Sequence, residues 1–555
     1  MKPLVLFGIG LALVGCGLNA SDKPTQAIVS DKPAVVETMG DFPCHQMGGQ
    51  WMGKCEFGAD GNPMLETQKE ATVTTGREYD TSTVNLPTAK KAEVVMLEDG
   101  QNYEMEAGFV KQEIAGKTLR RLAYNGMIPG PIFKVKKGIS VNVNFTNNLE
   151  EPTTVHSHGL RGNYKMDGMP DMPYPPLEPG ESFNYKWEFP DEGIFWYHPH
   201  IREDRQQDGG LYGNYWVEPD TPDYWARVSK EATWILDDFD LEGYDSQEVN
   251  HTLMGRYGSI MLLNNEENYQ TMAKAGETVR YFITNTANVR PFNLKIKGAQ
   301  MKLVGGDLGR IEQETFRDSL VIAPAERWIV EVYFPEAGRY KIENVTPKKT
   351  YFIGDIMVAG AATKDQALNF ETLRDNREDY RDIRSFIESD AQTAPDKKLK
   401  LDIKMMGMKM SGMMGSDHDA PEIEWEDGMA AMNAMSTDES VTWEIVDTDT
   451  GQANQDIDWE FGQGDLVKIE IYNDPGSMHP MQHPIHFHGQ RFLVTSRDGV
   501  ENQNLQWKDT ALIKTGEKVE ILVDMSNPGQ WMAHCHIAEH LHAGMAFNFT
   551  VNPKN

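Results

Sequence analysis

The chain has 555 residues, a length for about three domains, each with its own core. Hydrophobic residues make up 39% and charged residues 25%, the proportions of a soluble globular protein. A formal net charge of −31 gives a surface that repels nucleic acid and attracts cations, so no nucleic-acid partner is expected, and metal ions suit it better than phosphates.

The chain opens MKPLVLFGIGLALVGCGLNA. Lys2 followed by the apolar run Leu4–Val14 predicts an export signal, too short to span a bilayer. Leu13-Val14-Gly15-Cys16 resembles a bacterial lipobox. That implies a signal peptide over 1–15, cleavage before Cys16 and a lipid on its thiol; an ordinary secretory signal ending in Cys is the alternative. No later segment has 18 consecutive apolar residues, so the lipid on Cys16 is the one expected membrane attachment. Gly17 in place of an Asp points to the outer membrane if the cell has two. Residues 16–90 read as a polar tether with a segment, DFPCHQMGGQWMGKCEF, that holds Cys44, His45, Met47, Met52 and Cys55. It suits either a disulfide-closed cap or a small soft-metal site. Cys535 is then an odd thiol in an exported chain.

After about residue 90 the texture becomes short runs of alternating polarity split by Gly, Pro and Asn, which predicts sandwiches of antiparallel strands. One unit is written three times. PGESFNYKWEFPDEGIFWYHPH begins at Pro179, PAERWIVEVYFPEAGRYKIENV at Pro324 and TGEKVEILVDMSNPGQWMAHCH at Thr515. GISVNVNFTNN, GETVRYFITNT and GDLVKIEIYND precede them and lead to TVHSHG, FNLKIKG and HPIHFHG. The repeats divide the chain into 91–222, 223–362 and 363–555. Where the outer copies have histidines the middle copy has Lys295, Lys297, Glu343 and Val345, so the middle domain is expected to be a spacer.

Ten of the 15 histidines fall in four clusters: His156-Ser-His158, His198-Pro-His200, His483-Pro-Ile-His486-Phe-His488, and His534-Cys535-His536 followed by His540. On a strand, i and i+2 share a face about 6.6 Å apart, so each pair reaches neighbouring metal ions. The residue between points the other way. Cys535 therefore faces a second site, where His483, His540 and the thioether of Met545 complete a His₂Cys set with a weak axial Met, which selects copper.

All four motifs resemble those of the multicopper oxidases, the family of laccases, ascorbate oxidase and bacterial cuprous oxidases, over about residues 90–555. The resemblance implies an all-β chain of three consecutive cupredoxin-like Greek-key domains and four copper ions. His156 and His486 would hold a type 2 copper, and His158, His198, His200, His488, His534 and His536 a type 3 pair. His483, Cys535, His540 and Met545 would hold type 1. It implies single-electron oxidation of a reductant, transfer through Cys535, and reduction of dioxygen to water. With no twin arginine in the leader, export is expected before metal loading. Asp167 matches the family's acidic residue beside the type 2 copper, although an Asp before Gly also suits a simple turn. Leu541 stands where some relatives have a second acid, and Glu539, before the histidine, is the candidate instead. A monomer is expected.

The reductant depends on the surface near His483 and His540. Cu(I) prefers thioethers, Mn(II) carboxylates, and phenols need an apolar slot. The segment 404–436 holds Met405, Met406, Met408, Met410, Met413 and Met414, then Met429, Met432 and Met435; Met478, His479, Met481 and His542 flank the type 1 ligands. Bacterial cuprous oxidases resemble this in placing a methionine-rich insert over that site. Cu(I), in copper tolerance, is therefore the expected reductant, with phenols, Fe(II) or Mn(II) as alternatives and non-catalytic copper storage as a further one. Methionines that merely fill a core are the plain alternative for the segment.

Overall fold

A computed structural model describes residues 43–47, 50–54, 79–241, 249–360, 367–405 and 421–554. The expected signal peptide, Cys16, most of the tether, Cys55, and Met406, Met408, Met410, Met413 and Met414 lie outside the described residues. No helix among those described is long and apolar enough to cross a membrane.

Six sheets form three sandwiches, one each within residues 94–218, 230–359 and 397–552. Alternation builds their cores. In Ser140–Asn147 (SVNVNFTN) Val141, Val143 and Phe145 are buried while Asn142 is exposed. Each such apolar side chain contributes about 1.5–3 kcal/mol by leaving water. The sandwiches are not purely antiparallel, as their sequences suggest. Asn102–Ile114 runs parallel to Ser140–Asn147, Lys230–Phe239 to Thr278–Asn285, and Lys397–Met405 to Asp465–Asn473. A strand that crosses between the two sheets of a Greek key returns beside its neighbour in the same direction.

The repeat is visible in its turns. Gly180, Ala325 and Gly516 have φ of +85°, +67° and +78°. The next residue of each copy closes the turn: Glu181, Glu326 and Glu517 accept from the backbone N–H three residues earlier at 2.9, 2.9 and 3.0 Å. Only Ala325 holds the left-handed conformation with a side chain, at a cost of about 1–2 kcal/mol.

Seven strands position the site: β1 (His156–His158), β2 (Gly193–His198), β3 (Phe292–Lys297), β4 (Arg327–Tyr333), β5 (Gly338–Val345), β6 (His483–Phe487) and β7 (Gly529–Cys535). Two short helices flank them, α1 (Glu203–Gln206) and α2 (Ala538–His542). Every residue of β1, β2 and β6 is buried. β2, for example, also packs against β4 of the middle domain.

Candidate metal centre

β1 and β2 are antiparallel and pair His156 with His198; β6 and β7 pair His486 with His534. With period-2 parity, this register aims His156, His158, His198, His486 and His534 into one chamber between the first and third domains, where His200, His488 and His536, just past the strand ends, join them. His200, His488 and His534 offer nitrogens within 4.8 Å of one another, and so do His156, His486 and His488. The rings of His158, His198 and His536 have centroids 5.0–5.9 Å apart. Cys535 faces the other way. Its Sγ lies 3.6 Å from His483 Nδ1 and 3.7 Å from His540 Nδ1, and these nitrogens are 3.3 Å apart. Met545 is fully buried in the same core. Its backbone ties it to the group, because its C=O accepts from Cys535 N–H and its N–H donates to His540 C=O, both at 3.0 Å.

A carboxylate or carbonyl occupies one nitrogen of most rings. His156 Nδ1 donates to Asp167 O at 2.8 Å, His488 Nδ1 to Asp167 Oδ2 at 2.9 Å and His200 Nδ1 to Glu203 Oε1 at 2.8 Å. His198 Nδ1 and His534 Nδ1 donate to backbone carbonyls at 2.8 and 2.7 Å. His158 Nε2 lies 3.0 Å from Asp509 Oδ1, and His486 Nδ1 lies 2.9 Å from Asp509 O.

The opposite nitrogens carry the fit to metal. His156 Nε2, His158 Nδ1, His198 Nε2, His200 Nε2, His486 Nε2 and His536 Nε2 are buried with no protein partner. A buried polar atom left unpaired costs about 1–3 kcal/mol, so several converging in one chamber call for a ligand of their own. Charge agrees. Burial pushes His483, His488 and His536 down to about 3, which keeps the imidazoles neutral and able to ligate. Burial likewise pushes the Cys535 thiol up, so its ionisation needs a cation beside it. For Asp167 burial pushes upward, but His156 and His488 outweigh it and hold the carboxyl below its usual range.

Among the other candidates, Glu539 is buried and its partner is Asn288 of the middle domain, whose Nδ2 donates to both oxygens at 2.7 Å; no imidazole bonds to it. Burial pushes its carboxyl up to about 7. Met481 lies in the core, not at the surface: it is 0% exposed and packs in the cluster that contains Cys535. Met405 ends its strand half-buried and, with Met429 and Met432, packs against the core that contains Cys535, while Met435 and Met478 are exposed. His542 is also inside: its Nε2 pairs with Glu203 Oε2 at 2.9 Å. The sequence reading missed Glu203, Asp509 and Arg327. Glu203 follows His200 at i+3, a spacing that was there to be read. Asp509 stands 351 positions from His158 and carries no local signal.

The multicopper oxidase family matches this chain at three places, residues 108–222, 221–358 and 427–555. Multicopper oxidase mco of Staphylococcus aureus is 28% identical over 458 residues, which cover 80% of this chain and 87% of that protein. Multicopper oxidase MmcO of Mycobacterium tuberculosis is 26% identical over 78% of this chain and 84% of its own length. Among solved structures, the multicopper oxidase of Campylobacter jejuni aligns with a TM-score of 0.62 at 24% identity, covering 86% of this chain and 99% of that one. The chain therefore belongs to the multicopper oxidases, oxidoreductases that use dioxygen and carry four coppers of types 1, 2 and 3.

Proposed function

We propose that this oxidase takes its electrons from Cu(I). His483, Cys535, His540 and Met545 would hold the type 1 copper, and His156 and His486 the type 2. His158, His198, His200, His488, His534 and His536 would hold the type 3 pair. When bound, the coppers would take single electrons from the reductant and supply four of them, with four protons from solvent, to reduce one dioxygen to two waters. The chain's own part is alignment. Cys535 joins the two sites by peptide bonds to His534 and His536, and Asp167 fixes one type 2 and one type 3 imidazole while offering a charged group for proton handling.

The observation that carries Cu(I) is His479. It is 5% exposed, its Nε2 has no partner, and the Trp443 ring touches both it (6.2 Å) and the type 1 histidines His483 (4.8 Å) and His540 (4.2 Å). A buried imidazole nitrogen without a partner, one ring away from the type 1 ligands, suits a copper ion. A cleft of about 330 Å³ lined by Pro347, Pro421, Ile423 and Trp425 supports the second reading, a phenol oxidase of laccase type.

Oxygen uptake with Cu(I) and with a phenol decides between them. Deleting 404–436 whole would remove Asn433 and Ser436, which are buried and cap Met254 N and Leu253 N of the middle domain. Deleting 406–420 and replacing His479 by Ala avoids that. We expect Cu(I) oxidation to fall about tenfold or more with the phenol rate unchanged; an unchanged Cu(I) rate sinks the proposal. The leader sequence supports an exported, lipid-anchored enzyme, which the mass of the mature N-terminal peptide tests.

A further inference from the structure

The middle domain sends a charged side chain to the residues that line the chamber. Arg327, on β4, is fully buried and touches all three domains. Its Nε donates to Ile194 O on β2 at 3.0 Å, its Nη1 to Ala325 O at 3.0 Å, and both Nη atoms to the two oxygens of Asp509, Nη1 at 2.6 Å. This is the fork-on-carboxylate geometry that only arginine provides.

Asp509 meets both a first-domain and a third-domain imidazole on this side. Its Oδ1 lies 3.0 Å from His158 Nε2, its C=O 2.9 Å from His486 Nδ1, and Thr510 Oγ1 donates to its Oδ1 at 2.9 Å while lying 3.1 and 3.2 Å from the same two nitrogens. The pair thus occupies one nitrogen on each ring and leaves His158 Nδ1 and His486 Nε2 free. Asp167 likewise occupies His156 Nδ1 and His488 Nδ1. The backbone makes room for the fork. Gly159 has φ +85°, and a Cβ there would run into Asp509 Oδ2 and come within 2.9 Å of Arg327 Nη2. The glycine after His158 is therefore matched to the pair.

We propose that Arg327 is a positioning residue for the trinuclear copper site: by gripping Asp509 it fixes which nitrogens of His158 and His486 face the metal. This rests on the ligand assignment above. A buried carboxylate without its guanidinium loses both its direction and its charge partner, and partners of metal-bound histidines typically change metal affinity or activity 10–100-fold. Lys508 supplies the control. It belongs to the same buried charge cluster, 3.2 Å from Asp307 and 3.3 Å from Glu326, but bonds to no imidazole.

The test compares copper-loaded parent, Arg327→Lys and Lys508→Met by copper content, the blue colour of type 1, the type 2 electron paramagnetic resonance signal and oxygen uptake. Arg327→Lys keeps the charge but not the fork. We expect it to stay blue, lose type 2 signal and copper, and consume oxygen about 10–100-fold more slowly, while Lys508→Met, though less stable because Asp307 and Glu326 lose a cation, keeps the parent's type 2 signal and copper content. Parent-like type 2 signal and uptake in Arg327→Lys overturn the proposal. So does an equal loss in Lys508→Met, which would mark a general loss of stability. If Arg327→Lys yields no blue protein, Asp509→Asn, which keeps the shape, decides by the same two outcomes. A blue parent lacking the type 2 signal instead defeats the ligand assignment, whatever Arg327 does.

Discussion

The same cross-strand position can be followed through the three domains. In the first it is His156 opposite His198, in the third His486 opposite His534, and in the middle one Lys295 on β3 opposite Glu343 on β5. The register is shared; the surroundings are not. The four histidines are buried, whereas Lys295 and Glu343 are half-buried and Lys297 is exposed. A lysine and a glutamate at that distance suit water, and imidazoles suit a closed chamber. The sandwich therefore supplies placement, and imidazoles at those positions together with burial between two domains make the chamber a metal site.

The strongest way to break this comparison is to remove one member of each pair. His486→Ala should cut oxygen uptake on the order of 100-fold or more and lower the copper content, while Lys295→Ala changes stability by no more than about 0.5 kcal/mol. Equal effects, read by copper analysis and thermal unfolding, would mean that position alone decides. Copper removal sharpens it next. Ligand binding to the native state stabilises by mass action, about 2.7 kcal/mol at a hundredfold excess over Kd. Hydrogen exchange of the apo form should accelerate in β1, β6 and β7 but not in β3 and β5; uniform acceleration would contradict it.

The smallest effect lies in the middle domain's own chemistry. Burial and the neighbouring Asp238 push Asp237 up to about 7, and Tyr212 of the first domain donates to it at 2.8 Å. A carboxyl whose folded pKa is raised holds its proton in the native state where the unfolded chain has lost it. Its stabilisation is complete below about pH 4 and fades as pH rises to 7. Asp237→Asn should flatten that slope by about 2 kcal/mol, measured by urea unfolding at pH 4.5 and 7. An unchanged slope would assign the proton elsewhere.

Much of this was legible in the sequence because it follows from parity and repetition. The H-x-H spacing put both rings on one face and Cys535 on the other, and aligning the three copies amounted to aligning register. What stayed hidden depends on distant partners. Nothing near Asp509 reveals that Arg327 lies against it, 182 positions away. The spacer reading of the middle domain left such contacts out, since absent ligands do not mean absent contacts. Met481 misled because a methionine near a copper ligand looks like a soft donor, whereas its side chain is packed in the third-domain core.

The division of the chamber also bears on how the chain is made. Four of its eight imidazoles arrive with the first domain and four with the last, and the contact between His158 and Asp509 spans 351 positions. Closing so long a loop is slow relative to local folding. Each sandwich can thus collapse alone during synthesis, and the copper chamber is the last thing to exist. A chain interrupted after the middle domain would hold half a chamber and no Cys535, so an unfinished protein has no oxidase to release.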